Sequence, residues 1–127
     1  MALSSESFSG PRPLPPGEAS PTRILIAEDP FINTFLRTVL QRHGDKVIVG
    51  EAHQSASILQ KGAIEVDLVI TNTPTEFLEF SETIPLLYTA SNPDPALASL
   101  FRHCRVLRKP FRNDDLLAAV EDLTRSL

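Results

Sequence analysis

The chain has 127 residues, of which 42% are apolar, and a formal charge of −4; that supports one domain with a sizeable, mainly aliphatic core. So mild a charge argues against a general binder of nucleic acid or anionic membranes. The single cysteine, Cys104, excludes an internal disulfide, argues against metal–thiolate chemistry and suits a reducing cytosol. No run approaches the ~20 apolar residues of a membrane span, and the N-terminus lacks the basic start and apolar stretch of a secretory signal. A cytoplasmic protein without a membrane or nucleic-acid partner is therefore expected.

Residues 1–21 differ from everything after them. Pro11, Pro13, Pro15, Pro16 and Pro21 alternate with Gly, Ser and Arg, and the bulky apolar residues are Leu3, Phe8 and Leu14. Such a segment buries too little surface to offset its ordering entropy, which predicts a disordered tail. Pro13-Leu14-Pro15-Pro16 also has the form of a polyproline docking motif; a plain tail is the preferred reading.

From Thr22 to Leu127 the pattern alternates strands and helices. Arg23 to Ala27 is a short, nearly continuous apolar run, the mark of a strand buried on both faces. Glu28-Asp29 ends it, and Pro30 suits the first helical position after an Asp cap. Phe31, Ile32, Phe35, Leu36, Val39 and Leu40 recur at helical spacing until Gly44. Lys46 to Val49 predict a second strand, Ser55 to Lys61 a short helix, and Val66 to Thr71 a third strand. Thr75 to Ser81 supply about two helical turns, too little for a full crossover. Ile84 to Thr89 read as a fourth strand with Pro85 near its start, and Pro95 to Arg102 as a short helix. Val106-Leu107 centre a fifth strand. Asn113 caps a last helix with a buried stripe of Leu116, Leu117, Val120, Leu123, Thr124 and Leu127.

Five β–α units predict an α/β fold: a doubly wound, flavodoxin-like parallel sheet with helices on both faces and a shortened third crossover. In such sheets the ligand site lies beyond the carboxyl ends of the strands. Glu28-Asp29, Asn72, Thr89-Ala90 and Lys109-Pro110 all fall on that rim. Taken in order, Ile24 to Asp29, Asp67 to Asn72, Ile84 to Ala90 and Val106 to Phe111 resemble the receiver domain of two-component response regulators over residues 22–127.

The resemblance implies a role for each position. Glu28 and Asp29 would hold Mg²⁺ through oxygen ligands and water. Asn72 stands at the phosphoacceptor position, where the family has an aspartate that attacks a phosphodonor. Thr89 corresponds to the hydroxyl that bonds the phosphoryl group, and Lys109 to the lysine that pairs with it. The Lys109–Pro110 bond is implied to be cis.

Asn72 breaks the chemistry. An amide keeps the size of aspartate but cannot form an acyl phosphate, and its carbonyl coordinates a cation more weakly than a carboxylate does. Pro74 follows Asn72 by two residues, where the family usually has its proline four along. Val106 stands where many receivers carry an aromatic residue. Leu87-Tyr88-Thr89-Ala90-Ser91 is similar in place, though not in residues, to the aromatic-x-Thr-Gly-aromatic motif of alpha-proteobacterial stand-alone receivers.

These residues predict a degenerate, stand-alone receiver that binds another signalling protein, a histidine kinase or another regulator, without phosphorylation and through its last strand and helix. Mg²⁺ binding is expected to be weak, and a homodimer is compatible. Two other readings are an active phosphoryl acceptor using Glu76 or Asp29, and a small-molecule sensor using the same pocket. Arg102, Arg105, Arg108 and Arg112 suggest an anionic partner surface beside the plainer reading of a solvated edge. His43, His53 and His103 show no ligand spacing, and no Ser-His-Asp set, glycine-rich phosphate loop or Cys-His cluster points to an enzyme.

Overall fold

A computed structural model of the chain describes residues 21–125. The expected tail, apart from Pro21, and the last stripe position, Leu127, lie outside the described residues.

The elements run β1 (Arg23–Ala27), α1 (Pro30–His43), β2 (Lys46–Val49), α2 (Ala52–Gln60), β3 (Leu68–Thr71), a 3-10 helix (Pro74–Phe80), β4 (Leu86–Ala90), α3 (Pro95–Ala98), β5 (Cys104–Arg108) and α4 (Asn113–Arg125). The strands form one parallel sheet in the order β2-β1-β3-β4-β5. This is the expected α/β, flavodoxin-like arrangement, and its strand order reverses at β1 and β3.

Alternation along the buried strands builds two cores. Ile24, Ile26, Leu68 and Ile70 pack with Leu36 and Leu40 of α1 and with Leu116, Val120 and Leu123 of α4. Leu25, Ala27, Val69, Leu86 and Tyr88 pack on the opposite side with Ala56 and Leu59 of α2, Phe77 and Phe101. α1 ends at Gly44, whose φ of 104° lies in the left-handed region that favours glycine.

The element boundaries depart from expectation where side chains intervene. α2 starts at Ala52, not Ser55, because the Glu51 carboxylate accepts the backbone N–H groups of His53 and Gln54. Those bonds hold the Glu51 carboxyl below its ordinary range. β3 starts at Leu68 rather than Val66, and the Asp67 carboxylate instead accepts the Arg23 backbone N–H at 2.8 Å. β4 begins at Leu86, after Pro85. The helix expected over 95–102 is one turn, capped by Asp94, which accepts from Ala96 N at 2.9 Å. Asn113 is the first residue of α4 rather than its cap.

The shortened third crossover is the 3-10 helix Pro74–Phe80. Phe77 leaves helical geometry within it (φ −118°, ψ 18°) and is fully buried against the sheet. One aromatic side chain thus fills the layer that a longer helix would cover.

Candidate functional site

The rim is assembled by strand register. Ala27 pairs with Thr71, and Thr71 with Tyr88, so Glu28, Asn72 and Thr89 follow side by side beyond these pairs. β5 pairs Ala90 with Arg108, and Lys109 N donates to Ala90 O at 2.8 Å, which brings Lys109 to the same edge. The Lys109–Pro110 peptide is cis, as the resemblance implied.

Glu28 is the centre of this arrangement. Its backbone faces the rim, but its carboxylate turns inward, with none of the side chain exposed. Lys109 Nζ donates to Oε1 at 3.0 Å and the Thr89 hydroxyl donates to Oε2. The backbone N–H of Asp29 adds a contact to Oε1 at 3.1 Å. The Lys109 side chain is 17% exposed. Each carboxylate oxygen therefore has a donor, and the charge is paired, as burial of an ion requires.

Asp29 caps α1 by position, but its side chain makes no capping bond and is exposed. Asn33, one turn into α1, takes up the neighbouring backbone instead, accepting Glu28 N at 3.0 Å. The Thr71 hydroxyl donates to Ala27 O at 2.9 Å and accepts from Thr73 N at 3.0 Å. This locks β3 to β1 and turns the chain sharply into buried Pro74. Asn72, half-buried between them, makes no side-chain hydrogen bond to another described residue. Thr71 and Asn33 were not singled out from sequence. Their signals are faint: a Thr closing an apolar strand, and an Asn one turn past an acidic pair.

The other candidates are distributed elsewhere. Glu76 lies on the 3-10 helix and meets His53 of α2 at 3.3 Å, rather than Thr89 or Lys109. His43 pairs with Asp45 at 3.0 Å. The arginines do not form one open patch. Arg105 is engaged by Asp122, and Arg108 Nε donates to Ser91 O at 3.3 Å, while Arg102 and Arg112 are exposed.

The donor set is a poor match for a tightly held Mg²⁺. Both Glu28 oxygens already face Lys109 and Thr89, which leaves the Asp29 carboxylate and the Asn72 carbonyl. Among the described residues, no group of three or more His, Cys, Asp or Glu side chains could hold a metal. No helix among them is long and apolar enough to cross a membrane.

No family model matches the sequence, and no curated protein matches it. Solved structures do. A two-component response regulator from Clostridium difficile superposes with a TM-score of 0.68 at 20% identity, covering 82% of this chain and 96% of that one. A response regulator receiver protein from Sinorhizobium medicae gives 0.67 at 19% identity, with 85% and 97% covered. A chemotaxis response regulator of Vibrio cholerae gives 0.67 at 18%, with 82% and 99% covered. At this identity the likeness is one of architecture: the chain has the receiver fold.

Proposed function

We propose that this chain is a receiver-fold interaction module of two-component signalling, acting without phosphorylation and not as an enzyme. One observation carries the reading: Lys109 and Thr89 already bond an internal carboxylate, Glu28, while position 72 holds an amide. A phosphoryl group arriving there would find no nucleophile, and the cation and hydroxyl that would receive it are occupied. The buried pair gives the rim one fixed state. Replacing Asp by Asn at position 72 also removes one negative charge, which lessens the need for a divalent cation.

Partner contact is proposed through β5 and α4. β5 is an edge strand with Val106 exposed beside Arg105 and Arg108. The partner is a cytoplasmic signalling protein, a histidine kinase or another regulator, and a second copy of the chain would meet the same edge. Weak Mg²⁺ binding at Glu28 and Asp29 would require the Glu28 carboxylate to leave Lys109. Of the alternative acceptors, Asp29 is at the rim and Glu76 is paired with His53 on the α2 side.

The test is incubation with acetyl phosphate and Mg²⁺ followed by intact mass. The unmodified protein is expected to gain no phosphoryl group, and a stoichiometric, hydroxylamine-labile adduct would overturn the reading. Asn72→Asp, run in parallel, reports whether the scaffold itself remains competent.

A further inference from the structure

Among the described residues, Phe31 in the first turn of α1 is the most exposed of the large apolar side chains, at 91%. One turn on, Phe35 is 40% exposed, and its ring lies 6.2 Å from that of Phe111. Ile32, Phe35, Ser91, Lys109, Pro110 and Phe111 line a groove of about 400 Å³ between α1 and the β5–α4 loop. Exposed Asp29, at the tip of α1, gives one end of this aromatic surface a negative charge. Exposed aromatic side chains clustered beside an apolar groove suit a docking site.

We infer that the groove receives the chain's own segment Arg12-Pro13-Leu14-Pro15-Pro16. Its chemistry matches: proline-rich segments dock in aromatic-lined grooves because little conformational entropy is left to lose. The reach matches as well. The described chain begins at Pro21, and the Thr22 carbonyl accepts Lys46 N–H at 2.8 Å, so the tail departs beside the C-terminal end of α1. The groove sits at the other end of that helix. Its 14 residues span about 21 Å at ~1.5 Å per residue. Pro16 and Arg12 lie five and nine positions before Pro21, or about 16 and 28 Å at ~3.1 Å per residue. These lengths bracket the distance along α1, so a tail that follows the helix has Leu14 and its flanking prolines within reach of Phe35 and Phe111, and Arg12 within reach of Asp29. This inference does not depend on the phosphorylation state of the rim.

The experiment is solution NMR on the isotope-labelled full chain. Expected are nuclear Overhauser contacts from the Leu14 methyls to the rings of Phe35 and Phe111. Leu14→Asp and Arg12→Glu, each in the full chain, are expected to shift the amides of Ile32, Phe35, Ser91 and Phe111 while leaving β2 unmoved. Circular dichroism confirms that each variant keeps its fold. The proposal fails if Leu14 shows no ring contact and the variant spectra superimpose on the parent. It fails equally if the contacts appear only between differently labelled molecules in a mixed sample, since a second copy would then be the occupant.

Discussion

Glu28→Gln is the substitution that tests the rim most directly. It keeps the side chain's shape and an acceptor for Thr89, but removes the charge that Lys109 faces at 3.0 Å. Breaking a fully buried ion pair costs ~3–5 kcal/mol. Lys109 is 17% exposed and keeps some water, and the amide oxygen retains a hydrogen bond, so a loss of about 2–3 kcal/mol is expected. For a domain of this size that lowers Tm by roughly 8–14 °C. Asn72→Asp places a second carboxylate one strand spacing from Glu28, about 4.8 Å along the sheet. Like charges ~6 Å apart at an effective dielectric of ~20 repel by about 3 kcal/mol before relaxation and screening, so a net cost of about 1–2 kcal/mol is expected without Mg²⁺. In the double variant the new Asp takes over Lys109 as its partner, and the combined loss falls below the sum by more than ~1 kcal/mol. Urea unfolding followed by far-UV circular dichroism measures the cycle, because the chain has no Trp and one Tyr. An additive double variant, or a cost for Glu28→Gln below about 0.5 kcal/mol, would refute the claim that Glu28 is the internal counter-charge.

Phe77→Ala is expected to cost about 3–5 kcal/mol, because the ring is fully buried and fills the layer beneath the 3-10 helix; a Tm within a few degrees of the parent would show that this layer closes without it. Burial pushes the Cys104 thiol up to about 11, so the folded state favours the protonated form. Alkylation in the folded protein should therefore be slow at neutral pH and climb about tenfold per pH unit toward that value, since the thiolate is the nucleophile. The preference for the folded state that this provides is present below the thiol's ordinary range and is lost as pH rises through about 11. A rate plateau near pH 9 would contradict the burial argument.

The repeating pattern in the sequence carried the architecture. Apolar runs of strand length separated by helical stripes need only local periodicity to be read. Five such units leave few ways to wind a parallel sheet with right-handed crossovers. The rim positions followed, because strand ends converge wherever the strands are parallel. Boundaries were less legible where a single side chain intervened, as Glu51 does in starting α2 at Ala52 and Asp67 does before β3. The sequence leaves the arginines around β5 open between a solvated edge and an anionic partner surface, and it does not show that Asp122, on α4, engages Arg105.

The absence of an acceptor at Asn72 was determined by the sequence alone, because an amide is a poor nucleophile in any fold. Which carboxylate Lys109 and Thr89 bond was decided by the tertiary structure. Glu28 stands 61 positions from Thr89 and 81 from Lys109, and no local pattern distinguishes a glutamate that caps a strand in solvent from one whose carboxylate turns inward. That choice depends on three strand ends meeting in register, where an ammonium and a hydroxyl offset the cost of burying the charge.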